Sequence, residues 1–179
     1  EARVYATNDQ GQDEEVAIRT ISLDFEEVDV FAPPRLFVYE DDEHQKQIAD
    51  STRPEAYDET LSHYVDADEV GDFFLDVFNT GFQTDSFKIR VLEQPDDWQY
   101  RFYDNDTGLE LVEEGIYSMT PDIGSTQILT ILMEVYPPAD RDGVDIGLFK
   151  LSVTSKEDSE LRTDVAFTVH RTFGILVEV

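Results

Sequence analysis

The amino-acid sequence predicts an all-β protein: a sandwich of two antiparallel sheets carrying a β-rich N-terminal extension. Three observations predict it. Apolar residues recur with period two in stretch after stretch, the mark of strands that bury one face. Residues that favour turns punctuate those stretches. No helical stripe competes strongly within residues 72–179.

In chain order, Phe73, Leu75 and Val77 alternate with Phe74, Asp76 and Phe78, and Phe87, Ile89 and Val91 alternate with Lys88 and Arg90. Trp98, Tyr100 and Phe102 share one face, so this aromatic run reads as core packing more readily than as a sugar-stacking platform with Tyr103. Leu129, Ile131, Met133 and Val135 form a longer strand. Phe149, Leu151 and Val153 follow, then Val165, Phe167 and Val169, with His170 turned toward solvent. A last segment offers Phe173, Ile175, Val177 and Val179. Asn79-Thr80-Gly81, Asp106-Thr107-Gly108, Pro121-Asp122-Ile123-Gly124, Pro137-Pro138 and Asp142-Gly143 are the breaks.

Residues 1–70 are less regular and are expected to form an extension with two or three strands and a long acidic loop. Val16, Ile18, Ile21, Leu23 and Phe25 suggest one strand with a register shift, and Leu36 and Val38 another. The stretch 40–70 reads as an excursion with a short helix near 55–63. Loops this long usually serve an interface or a function.

Composition narrows the function. The chain has 179 residues, of which 40% are hydrophobic and 12% aromatic, enough to bury a core and to exclude wholesale disorder. Against 41 acidic residues stand 13 basic ones, a formal net charge of −28. Such a field repels nucleic acid phosphates and anionic lipid, and it attracts cations and basic partners. No cysteine is present, so disulfides and thiolate metal sites are excluded. No stretch approaches the roughly 20 apolar residues of a spanning helix, so no membrane insertion is expected. The first residue is Glu1, not Met, which fits removal of an upstream signal peptide or a trimmed chain; secretion to the cell surface or beyond is the expectation.

Three stretches carry a resemblance. Phe74 to Gly81 followed by Asp85-Ser86-Phe87 is one; Trp98 to Asp104 running into Asp106-Thr107-Gly108 is the second; Pro137 to Asp140, then Gly143 and the strand through Val153-Thr154-Ser155, is the third. Together they make residues 72–171 resemble the immunoglobulin-like repeat domains of secreted bacterial and archaeal surface proteins, of the cell-adhesion-related and glycosidase-associated type. The resemblance implies an immunoglobulin-like sandwich over 71–171. It also implies a terminal strand, 172–179, of the kind that in tandem arrays opens the next domain. Such a strand either folds back as an edge strand of its own domain or inserts into a neighbouring molecule, and in the second case Phe173, Ile175, Val177 and Val179 are its apolar anchors.

Site chemistry is sparse. Asp104 and Asp106 surround one turn, and Asp140, Asp142 and Asp145 another, both rich in the oxygen ligands calcium takes. Neither has EF-hand spacing, and turns prefer the same residues on their own account. These five are the candidate calcium ligands, calcium being the one cofactor the charge suggests. Asn105-Asp106-Thr107 is a glycosylation sequon. His44, His63 and His170 lack the spacing of a zinc site, and no nucleophile elbow or glycine-rich phosphate loop occurs, so no enzyme is expected. The function expected first is a structural subunit of an extracellular assembly (filament, sheath or surface layer), a homo-oligomer or polymer joined by strand exchange. The alternative is a non-catalytic binding or spacer module of a larger cell-surface protein or secreted hydrolase.

Overall fold

The computed structural model describes residues 2–7, 10, 13–19, 30–52, 63–67, 69–139 and 145–173. All regular elements among them are strands. An N-terminal hairpin pairs β1 (Ala2–Thr7) antiparallel with β2 (Asp13–Arg19), with a register shift between Val4 and Tyr5.

The remaining strands form two sheets. One has the order β4-β3-β6-β11-β8, built from β3 (Arg35–Tyr39), β4 (Gln47–Asp50), β6 (Gly71–Phe78), β8 (Gln99–Asp104) and β11 (Ile128–Tyr136). The other has the order β5-β13-β12-β7-β10-β9, from β5 (His63–Asp66), β7 (Phe87–Glu93), β9 (Val112–Glu114), β10 (Tyr117–Met119), β12 (Ile146–Ser155) and β13 (Arg162–Thr172). The run β3-β6-β11-β8 facing β13-β12-β7 reproduces the ABED and GFC sheets of an immunoglobulin-like sandwich. The hairpin β9–β10 adds itself beside β7 although it follows β8 in sequence.

One expectation changes. The sheets are not wholly antiparallel, because β5 runs parallel to β13, pairing His63 with Val169 and Asp66 with Thr172. β4 belongs to the five-stranded sheet and β5 to the six-stranded one. The stretch 40–70 thus supplies two strands where a loop was expected. The helix expected near 55–63 lies outside the described residues up to position 62, and His63 opens β5. Gly71, which opens β6, lets that strand start close against β5: a Cβ there would meet the buried Val65 Cγ2 at 2.4 Å.

The core lies between the sheets. Phe73, Leu75 and Val77, then Ile131, Met133 and Val135, face Phe149, Leu151 and Val153 and the inward side of β13, all fully buried or nearly so. Phe149 and Phe167 stack with centroids 5.7 Å apart, Phe73 reaches Phe167 from the opposite sheet at 5.1 Å, and Trp98 sets its edge on Phe149 at 5.9 Å. Each such side chain contributes on the order of 1.5–3 kcal/mol by leaving water. Trp98 is therefore core, as its alternation predicts.

Candidate binding groove

The five-stranded sheet ends in β8 and the six-stranded sheet in β9, and the chain passes from one edge to the other through residues 105–111. The passage is tied down by its backbone: Leu109 O accepts from Asp104 N, Phe102 O from Leu111 N, and Asp104 O from Gly108 N, at 2.8–2.9 Å. Beyond it, β9 turns into β10 through Gly115-Ile116. Gly115 at φ 69° supplies the left-handed first position that a two-residue hairpin of this type requires.

Between these two edges the sandwich leaves a groove of about 620 Å³. Leu111 and Met119 are buried at its base, and Leu109 and Val112 stand on its walls, each 68% exposed. Asp104, Glu110, Glu114 and Asp122 also line it, with Lys156 as its cation. Two buried hydroxyl residues, Ser86 and Thr120, belong to the lining as well. Thr120 Oγ1 is committed to the fold, accepting from Phe87 N and donating to Pro121 O, both at 2.8 Å. A largely apolar concavity with a few polar groups is the usual form of a binding site.

The candidate calcium ligands fall in different surroundings. Asp104 Oδ1 accepts the backbone N–H groups of Asp106 and Thr107, both at 3.0 Å, so its carboxylate caps its own turn. Asp106 is exposed on that turn, together with Asn105 and Thr107 of the sequon. Asp145 Oδ1 takes the Arg171 guanidinium at 2.9 Å, and the Asp145 carbonyl takes the Arg171 N–H at 2.8 Å. Asp140 and Asp142 lie outside the described residues. Among the described residues, no three His, Asp or Glu side chains gather as a metal ion would need. Of the expected strand-exchange anchors, Phe173 is described: it is half-buried, with Arg171 stacked over its ring at 4.8 Å. Ile175, Val177 and Val179 lie outside the described residues.

A second surface feature escapes the sequence pattern. On the outer side of the five-stranded sheet, cross-strand register sets Tyr39 opposite Phe74 and Phe74 opposite Leu132, which in turn faces Tyr103. The turn after β3 folds back over this row. Asp41 fastens it by accepting from Gln45 N at 2.9 Å and Lys46 N at 2.6 Å. His44, at φ 57°, lays its ring flat on Tyr39 with centroids 4.6 Å apart. Its Nδ1 sits 3.2 Å from the buried carboxylate of Asp76, whose other oxygen accepts from the Thr130 hydroxyl at 2.7 Å. Beside it, Glu40 joins Lys46 at 2.7 Å and His63 Nδ1 at 2.8 Å. Burial alone would raise the Glu40 carboxyl; the hydrogen bonds and charges of Lys46 and His63 outweigh it and hold the group below its ordinary value.

No protein-family model matches the chain, and neither does any curated protein. Solved structures with a similar chain path include a FixG-related protein from Vibrio parahaemolyticus, 14% identical over 59% of this chain and 82% of that one, with a TM-score of 0.43. The N-terminal domain of PorA is 11% identical over 78% of this chain and 99% of its own, at 0.40. The CARDB domain of PF1109 from Pyrococcus furiosus is 14% identical over 80% and 99%, at 0.37.

Proposed function

We propose that the chain is a non-catalytic, immunoglobulin-like module of a larger secreted or cell-surface protein, serving to bind or to space. The observation that carries this reading is that the sandwich is filled from its own sequence. The last strand of an immunoglobulin-like sandwich is the one a neighbour would have to supply if the chain lacked it. Here β13 fills that place over Arg162–Thr172, paired with β12 on one side and β5 on the other. The strongly acidic, cysteine-free composition fits a module that works outside the cell, where high charge keeps it soluble.

Light scattering on the purified chain tests the reading, in calcium and then in EDTA. A monomer near 20.5 kDa in both is the expected result. Polymers that vanish when residues 174–179 are deleted would restore the strand-exchanged subunit in its place. Calcium itself is proposed only for the acidic turns: a melting temperature that rises when calcium is returned to EDTA-treated protein would support it.

A further inference from the structure

We infer that the groove between β8 and β9 receives an extended peptide segment that carries lysine or arginine beside large apolar residues. The inference rests on the reading of the chain as a binding module and names what it binds. Its base is continuous with the core, since Leu111 belongs to the buried cluster and Met119 is 9% exposed. An apolar side chain lodged there extends the core and covers Leu109 and Val112. The rim sets the charge: the exposed Glu110, Glu114 and Asp122, with Asp104 buried on its turn beside them, stand against Lys156.

An anionic ligand meets that rim with repulsion, and a second copy of the chain brings the same charges. Anionic lipid is repelled at longer range by the net charge of −28. A peptide has one more means of attachment. Among the described residues β9 is the last strand of its sheet, so its outer edge presents backbone donors and acceptors to an added strand.

Fluorescence anisotropy with two labelled peptides, Lys-Leu-Lys-Phe-Lys and its charge-reversed counterpart Glu-Leu-Glu-Phe-Glu, tests this in about 0.15 M salt, where distant charges are screened. The basic peptide is expected to bind and the acidic one not. Changing Glu110→Gln, Glu114→Gln and Asp122→Asn together should weaken binding about tenfold or more, while Lys156→Gln tightens it. The charge-matched control Glu43→Gln, Glu69→Gln and Glu160→Gln should stay within about twofold, because those acids lie elsewhere on the surface. Equal losses in the two triple variants would mean attraction by net charge alone and overturn the inference, as would weaker binding in Lys156→Gln or no binding at all. If the basic peptide fails to bind a chain that scatters as a monomer, the ligand class is wrong and the module stands. A polymer removes the module and this inference with it.

Discussion

Two apolar regions of the surface meet opposite fates. On the outer face of the five-stranded sheet, the row through Tyr39 and Phe74 is roofed by the molecule's own hairpin turn, with His44 flat on Tyr39 and anchored to Asp76. At the groove, Leu109 and Val112 stay 68% exposed above a buried base. Both regions mix apolar side chains with carboxylates. The first has its carboxylate bonded from two sides and its rings covered, so it reports on stability. The second leaves Leu109 and Val112 uncovered, and of its carboxylates Asp104 alone caps a turn, so it is the place to look for a ligand.

That contrast predicts that variants in the roofed region lose stability and variants on the groove walls do not. Asp76→Ala should have the largest effect, about 2 kcal/mol by urea unfolding, because His44 and the Thr130 hydroxyl lose their shared acceptor in a buried setting. His44→Ala should cost about 1 kcal/mol, from the stacked ring and the imidazole partner. Acid should act through Glu40 in the same region. Its folded value is lowered, so its contribution is present above the unfolded value and is lost as pH falls through the folded one. Wild type and Glu40→Gln should therefore converge in stability as pH falls below the ordinary glutamate range, wild type being the more stable at neutral pH.

A smaller effect of opposite sign is expected nearby. Asp72 pairs directly across from Glu134, and burial, then the Glu134 charge, hold its carboxyl above the ordinary value. With its folded value raised, the ionised form of Asp72 opposes folding, so Asp72→Asn should raise the melting temperature at neutral pH, at the low end of the roughly 0.2–1 kcal/mol range of cross-strand pairs. Leu109→Ser and Val112→Ser should change stability least, within about 0.5 kcal/mol, while weakening peptide binding. A large loss of stability in those two would turn the groove into a structural seam.

The core strands were legible because each buries one face. Phe73, Leu75 and Val77, or Phe149, Leu151 and Val153, alternate with polar or less buried residues, and all six are fully buried, although Asp76 and Ser152 between them are buried as well. β9 was not legible: three residues long and exposed throughout, it has no buried face to impose a period. β4 and β5 are only four residues each and sit in acidic sequence. Asn79 illustrates a different limit. Its turn is readable from Asn79-Thr80-Gly81, yet nothing local announces that its side chain is buried and donates to Gln83 O and Ile123 O while accepting from Gly81 N. Asp104 and Asp145 looked alike as turn acids, but the partner of Asp145 is Arg171, 26 residues on. The groove has no linear motif at all, because Ser86, the 104–114 stretch, 119–122 and Lys156 meet only once the sheets are formed.

The central claim is that β13 closes its own sandwich, and hydrogen–deuterium exchange on that strand tests it most directly. Amides of Arg162–Thr172 bonded to β12 and β5 should exchange slowly, with protection that is unchanged on serial dilution from micromolar to nanomolar chain. Protection that falls away on dilution would show that the strand is supplied by a neighbour and would contradict the account.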